Sequence, residues 1–185
     1  MIETDRLVLK NWQVDDAPAL YRLASDPLVG PACGWQPHAS VDESRDLIAA
    51  GPLSAAESYA IRLKATGELI GSISLRPATE HFDVAAEKDL EVGYWLGSAY
   101  WGRGYAPEAL GAMVSRAFDD LGCPALWCGF FDGNDRSKHC MEKRGFTYVR
   151  SFPGFERPLL GDTALAHFYR LSAVDYLAGG ARLAK

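Results

Sequence analysis

Apolar residues recur along this chain with two different periods, and each period predicts a different element. Where apolar and polar residues alternate, or where β-branched and aromatic residues form short runs between turn residues, the pattern predicts strands. The predicted strands are the segments 7–12, 59–64, 69–76, 90–97, 125–131, 146–152 and 165–171. The second and third are joined by Ala-Thr-Gly-Glu, which predicts the tight turn of a hairpin.

Apolar residues at helical spacing predict helices between these strands. The clearest stripe repeats at i, i+3, i+4, i+7, i+8 and i+11. Its members are Leu110, Met113, Val114, Ala117, Phe118 and Leu121. Two shorter helices are predicted to begin after the caps Asp15–Asp16 and Ser40, and a third is predicted over 135–144, where Gly145 would close the last turn.

The order of these elements is β-α-α-β-β-β-α-β-α-β-β, which predicts a mixed α/β (α+β) fold. We expect one central, twisted, mixed sheet of about seven strands with about four helices on its two faces. At 185 residues the chain has the length of one domain, and we expect residues 1–185 to form it.

Composition narrows the classes of function. Apolar residues make up 48% and charged residues 23%, which is ordinary for a globular protein. No apolar run approaches the ~20 residues that span a bilayer, and no secretory signal pattern is present, so we expect a cytoplasmic protein without a membrane partner. The net charge of −5 argues against a nucleic-acid partner and favours an amine-bearing one. Cysteines and histidines are scattered, so no metal site is predicted.

Residues 101–106, WGRGYA, predict an anion site, and we call them the glycine loop. Its two glycines let the backbone turn N–H groups toward one point, and the helix that follows adds unpaired N–H groups and the positive end of its dipole. The loop lacks the Lys and Ser or Thr of a P-loop, and Pro107 stands where a dinucleotide fingerprint needs Gly or Ala. A plain tight turn into a helix is the structural alternative.

This loop resembles the cofactor loop, Q/R-x-x-G-x-G/A, of the GNAT superfamily of acyl-CoA-dependent N-acyltransferases. Trp101, Gly104 and Ala106 fall on its marked positions, although Trp101 departs from the usual Gln or Arg. The segment 134–146, NDRSKHCMEKRGF, resembles the second cofactor helix of that family. The opening TDRLVLKNW and the strand EVGYWL are similar to the RimJ/RimL-type branch, so the resemblance covers essentially the whole chain.

The resemblance implies acetyl-CoA as co-substrate, no metal, and a defined set of residues that hold the cofactor. The backbone of the glycine loop would bind the pyrophosphate, and Asn134 would reach the pantetheine arm besides capping its helix. Cations nearby would meet phosphates or simply be solvated. The cofactor-binding residues expected on this basis are Leu96, Gly102, Arg103, Gly104, Tyr105, Ala106, Asn134 and Lys138.

Two residues are predicted to act in catalysis. Glu91 shares a strand face with Trp95 by alternation and would serve as general base, directly or through water. The alternative for Glu91 is a surface carboxylate paired with a cation of the neighbouring strand. The family's usual acid for the thiolate is a tyrosine, and Met141 stands at that position here. In RimL-like members a serine aligned with Ser137 is the proposed substitute, so the resemblance implies that Ser137, and no tyrosine, lies beside the cofactor sulfur.

The sequence says least about which residues bind the acyl acceptor. We expect it to be shaped by 29–38 and 79–88, with Trp35 and Trp95 as substrate-binding residues, although Trp35 could equally fill the core. The expected activity is transfer of an acetyl group to a primary amine, either a protein N-terminus or a small amine. The rival function is a catalytically weak, CoA-binding regulatory module, and a homodimer is an option that the sequence does not decide.

Overall fold

The chain forms one sheet with helices packed on both of its faces. The computed structural model describes residues 1–78 and 85–179. Its strands are β1 (Ile2–Glu3), β2 (Leu7–Asn11), β3 (Ser58–Leu63), β4 (Leu69–Pro77), β5 (Leu90–Leu96), β6 (Ala125–Phe131), β7 (Thr147–Arg157) and β8 (Asp162–Ser172). Its α-helices are α1 (Ala17–Ala24), α2 (Gly30–Cys33), α3 (Val41–Ala49), α4 (Tyr105–Ser115), α5 (Asp135–Glu142) and α6 (Ala173–Gly179).

The strands form an eight-stranded sheet in the order β1-β2-β3-β4-β5-β6-β8-β7. Neighbours are antiparallel except β5 and β6, which run parallel, so the predicted mixed sheet is confirmed. The short strand β1 and the helices α2 and α6 raise the counts above the predicted seven strands and four helices. A strand of two residues and a helix of four have no readable period, which is why the pattern misses β1 and α2.

Two apolar clusters hold the helices against opposite faces of the sheet. On one face α4 and α5 pack down, and Leu110, Met113 and Met141 are fully buried there. On the other face α1 and α3 pack down, with Leu20 and Ile48 in the core. The first half of the apolar stripe predicted after the glycine loop is therefore the buried face of α4, whereas Leu121 at the end of that stripe is 41% exposed.

Two regions differ in extent from the predicted elements. The helix that begins at Tyr105 is regular only to Ser115, and Arg116–Asp120 form a π-helical turn in place of a regular continuation to Leu121. The hairpin of β7 and β8 is longer than predicted at both of its inner ends. Those added residues are mostly exposed, so they lack the apolar alternation by which a strand is recognised.

β5 and β6 separate soon after they begin to pair. Their parallel ladder joins Leu90 to Leu126 and Glu91 to Trp127, and within the described ranges no further pair links these two strands. β5 stays paired with β4 over its whole length, and β6 stays paired with β8. The sheet therefore opens into a gap between the later residues of β5 and β6.

Candidate active site

A cavity of about 330 Å³ lies beside this gap and reaches the glycine loop. Its walls come from the end of β5, the glycine loop, the first turn of α4, one face of α5 and the region of α2. The volume is in the range of small-molecule sites. The predicted site residues that line it are Trp95, Leu96, Gly102, Gly104, Ala106, Asn134 and Ser137. The predicted site residues outside its lining are Trp35, Glu91, Arg103, Tyr105 and Lys138.

The glycine loop has the backbone conformation that an anion cradle needs. Gly102 and Gly104 have φ angles of 73° and 80°, a region that other residues enter only with strain. Gly104 caps α4, so the N–H groups of Tyr105 and Ala106 have no intrahelical acceptor. Because Gly104 and Ala106 line the cavity, an anion in this part of it would meet those donors and the positive end of the helix dipole.

The glycine loop is held from outside the cavity by three side chains, those of Thr4, Arg6 and Glu108. Arg6 Nε donates to Glu108 Oε2 (2.7 Å), and Arg6 Nη1 donates to the carbonyl of Arg103 (3.1 Å). The Arg6 guanidinium also lies 4.7 Å from the centroid of the Tyr105 ring. Burial alone would raise the pKa of Glu108, but hydrogen bonds from Thr4 and Arg6 outweigh it and hold this pKa below its ordinary value. Arg103 and Tyr105 thus contact Arg6 on the outer side of the loop, away from the cavity.

Trp101, at the position where the family usually has Gln or Arg, ties the loop to two other elements. Its Nε1 donates to the carbonyl of Leu96 at the end of β5 (2.9 Å). The guanidinium of Arg136 from α5 lies 4.0 Å from the centroid of the indole ring. Such a stack holds the cation in place at the edge of the cavity. Where the family usually has a polar side chain, this chain therefore has an indole ring on which the guanidinium of Arg136 stacks.

The cations that border the cavity are not the ones that the sequence predicts. Arg136 in α5 and Lys143 directly after its last residue both line it, and their spacing puts them on one face. His139 also lines the cavity. Lys138 is half-buried and lies outside the lining. Arg144 Nε donates to the carbonyl of Pro107 (2.6 Å), so this side chain joins the turn after α5 to α4. The i, i+7 spacing of the two lining cations, Arg136 and Lys143, is a signal that was available in the sequence.

Asn134 and Ser137 lie together at the start of α5. Asn134 Oδ1 accepts from the N–H of Ser137 (3.3 Å), which confirms the predicted cap. Ser137 Oγ is 2.9 Å from Tyr94 Oη, and Met141 is fully buried one turn further on. Contact between the sulfur and Ser137 stays a prediction, but a tyrosine hydroxyl does contact Ser137. The missed signal is the alternation along β5, which turns Tyr94 away from the face of Glu91 and toward α5.

Glu91 is buried where the β5–β6 ladder ends. Its partner across the β4–β5 ladder is Arg76, which binds both carboxylate oxygens, with Nε–Oε2 and Nη2–Oε1 distances of 2.9 Å. The ion pair that was the alternative role for Glu91 is therefore present. Because Glu91 does not line the cavity, a catalytic role would require an intermediary such as water, and this role stays a prediction.

The region of α2 forms the wall of the cavity on the expected acceptor side. Its lining residues are Val29, Ala32 and Cys33. Trp95 lines the cavity, whereas Trp35 packs edge-on against Trp95 with ring centroids 5.7 Å apart. Trp35 is partly buried and packs against the core cluster of α1 and α3. Trp35 thus contacts Trp95 without lining the cavity itself. Of the other expected acceptor segment, residues 79–84 lie outside the described residues.

Neither a metal-binding group nor a membrane-spanning helix is present in the described part of the chain. Among residues 1–78 and 85–179, no group of three or more His, Cys, Asp and Glu side chains is arranged to hold a metal ion. The helices of those same ranges are all too short or too polar to cross a membrane.

The cavity joins the glycine loop at the start of α4 to the gap where β5 and β6 part, and a loop of this kind can bind an anionic group. Residues 6–147 match the acetyltransferase (GNAT) domain family. This match covers most of the chain, and the chain belongs to that family.

Individual proteins agree with this assignment. The chain is 32% identical over 122 residues to p20 of Bacillus licheniformis, described as an uncharacterised N-acetyltransferase, and the match spans 64% of this chain and 66% of p20. A GNAT acetyltransferase from Bacillus anthracis superposes with a TM-score of 0.81 at 20% identity, covering 94% of this chain and 98% of that one. Spermidine N-acetyltransferase from Vibrio cholerae, solved with CoA and spermine, has a TM-score of 0.76 at 18% identity, covering 94% and 99%. At such identities the two solved structures show a shared fold.

Proposed function

We propose that this chain is an acetyl-CoA-dependent N-acetyltransferase whose acceptor is a primary amine. The observation that carries the proposal is the cavity that links the glycine loop to the gap between β5 and β6. Membership of the GNAT family supports it, as does the CoA complex of the Vibrio cholerae enzyme.

The residues present fit an acyl-CoA. The backbone at Gly102 and Gly104 carries no side chain that would keep a pyrophosphate away from the N–H groups at the start of α4. Arg136 and Lys143 would supply charged donors for the phosphates. The edge of β5 that faces the gap offers backbone groups to the amides of an extended arm, which would lead the thioester toward Ser137.

The chemistry needs a neutral amine against the thioester carbonyl. At pH 7, deprotonation costs about 1.4 kcal/mol for an α-amine of pKa ~8 and about 4.6 kcal/mol for a lysine amine of pKa ~10.4. In the proposed mechanism Glu91 takes the amine proton through a water molecule. Arg76 binds both oxygens of that carboxylate, so proton uptake there competes with an ion pair. The site therefore favours weakly basic acceptors, such as α-amino groups of protein N-termini or of small molecules.

The remaining step separates the acetyl group from sulfur. The amine nitrogen bonds to the carbonyl carbon, and the C–S bond breaks with its electron pair on sulfur. A thiol of pKa ~8.5 gives a tolerable leaving group, so a hydrogen bond from Ser137 is sufficient help. Proximity within the cavity contributes further to the rate.

A panel of amines of graded pKa tests the function, with thiol release from acetyl-CoA as the readout. We expect turnover, with kcat/KM highest for amines of low pKa. Binding of CoA without turnover of any amine would instead identify a regulatory module.

Glu91→Gln tests the proposed base. We expect kcat at pH 7 to fall far more than KM for acetyl-CoA rises, and the loss to shrink as pH increases and the amine deprotonates unaided. Glu57→Gln is the matched control, because Glu57 forms a similar two-pronged pair with Arg116 and does not line the cavity. Equal effects of the two variants on kcat would reduce Glu91 to a structural role.

A further inference from the structure

The Tyr94 hydroxyl spans the distance from β5 to α5. The ring packs against the core cluster beneath α4 and α5. Its Oη is 2.9 Å from Ser137 Oγ and 3.3 Å from the main-chain oxygen of Ser137, and both residues line the cavity. The shorter distance makes Oγ the principal partner. Tyr94 and Ser137 each have one hydroxyl hydrogen, and the contact between their oxygens uses only one of the two. When Tyr94 donates, the hydroxyl hydrogen of Ser137 is therefore free for another acceptor.

The surroundings of the phenol keep it protonated. Burial raises the pKa of Tyr94 well above its ordinary value, and the neighbouring thiols of Cys128 and Cys140 act in the same direction, which outweighs the lowering by the hydrogen bond with Ser137. Burial also raises the pKa of both thiols, so they are neutral beside the phenol. A CoA thiolate, whose acid has a pKa of ~8.5, is too weak a base to deprotonate such a phenol. Tyr94 can therefore donate a hydrogen bond but does not supply the proton that sulfur finally takes up.

We propose that Tyr94 is a positioning residue whose O–H donates to Ser137 Oγ and thereby turns the serine hydrogen into the cavity, toward the sulfur of the acyl donor. The inference rests on the proposed function, because it assigns a task within that reaction. A serine side chain has three χ1 wells, and in a helix its hydroxyl can also turn back to a carbonyl of the preceding turn. Contact with the phenol selects one well and opposes that backward turn.

No proton leaves the pair during the reaction. The amine nitrogen gives its proton to the base, and the C–S bond breaks with both electrons on sulfur. The thiolate then accepts the hydrogen bond of Ser137 and afterwards takes a proton from solvent. A strand tyrosine and a helix serine together thus supply the donor that Met141 cannot.

The test compares wild type, Tyr94→Phe, Ser137→Ala and the double variant. The first readout is the ionisation of the CoA thiol bound to each protein, followed by the ultraviolet absorbance of the thiolate, with S-methyl-CoA as the blank. Phenylalanine keeps the ring in the core and removes only the hydroxyl. Tyr59→Phe is the matched control, since Tyr59 is buried and its hydroxyl bonds to Glu57 (2.9 Å) away from the cavity.

We expect Ser137→Ala to lower the thiolate-to-thiol ratio by about tenfold, as the loss of one hydrogen bond to a charged group does. Tyr94→Phe should lower it by about threefold, since three χ1 wells become available. The double variant should match Ser137→Ala alone, and Tyr59→Phe should match wild type. The second readout is turnover, in which kcat should follow the same pattern while KM for acetyl-CoA changes by less than about twofold.

Losses that multiply in the double variant would show that Tyr94 acts independently of Ser137, and the inference would then be wrong. An unchanged ratio in Tyr94→Phe would overturn it as well. The titration needs no acceptor amine, so it decides the role of Tyr94 even if wild type turns over no amine. A wild type that turns over no amine would reject the proposed function and leave the role of Tyr94 to be decided by the titration.

Discussion

Replacing Gly104 by alanine tests whether the backbone of the glycine loop holds the cofactor. Gly104 has a φ of +80°, and a Cβ there would lie 3.3 Å from Nη2 of Arg6, the movable end of a long side chain. The left-handed conformation costs an L-residue about 1–2 kcal/mol. The free loop can relax to relieve this strain, whereas a loop that grips a pyrophosphate cannot. Since 1.4 kcal/mol corresponds to a factor of ten, we expect the Kd for CoA to rise about 5- to 30-fold.

Gly67→Ala provides the matched control for this variant. Gly67 lies in the turn between β3 and β4 with a φ of +72°, and a Cβ there would have no neighbour within 4 Å. Gly67→Ala should lower the thermal unfolding midpoint without changing CoA binding, whereas Gly104→Ala should weaken CoA binding in calorimetric titration. Equal Kd values for the two variants would refute the placement of the pyrophosphate on this loop.

Three further predictions follow from the contacts around the loop. Arg136→Met should raise KM for acetyl-CoA about 3- to 10-fold with kcat nearly unchanged, because a partly exposed charged donor is lost; an effect confined to kcat would contradict this. Arg6→Leu should also raise that KM, through a looser loop, while leaving the kcat ratio between amines unchanged. Glu108→Gln should destabilise the fold by about 1 kcal/mol at pH 7 in urea titrations. Because the folded-state pKa of Glu108 is lowered, its contribution is complete above the unfolded pKa and disappears as pH falls through the folded one, so variant and wild type should converge in acid.

The parts of the site that follow from local chemistry could be predicted from the sequence. A glycine with positive φ before a helix, and an asparagine that caps the next helix, depend only on residues close in the chain. The contacts that were missed join distant positions. Arg6 and Glu108 are 102 residues apart, and Tyr94 and Ser137 are 43 apart. Such contacts depend on strand register and on how a helix is placed over the sheet, which periodicity alone does not give.

The choice between neighbouring cations on α5 illustrates the same limit. Lys138 lies only two positions from Arg136, yet two positions along a helix point to different sides. The rotation of α5 about its axis is set by the burial of Cys140 and Met141 in the core. With this rotation Arg136 borders the cavity and Lys138 lies outside its lining.

The gap between β5 and β6 makes the middle of this sheet behave like an edge. Amide hydrogens at the centre of a sheet are usually the slowest to exchange with solvent, because both neighbours protect them. Here the amides of β5 beyond Glu91 and of β6 beyond Trp127 that point into the gap have no ladder partner within the described ranges. They should therefore exchange quickly although strands flank them on both sides. An acyl donor whose amides line up along β5 would slow that exchange as an added strand does. Comparing deuterium uptake with and without the donor would therefore locate its binding site without any measurement of turnover.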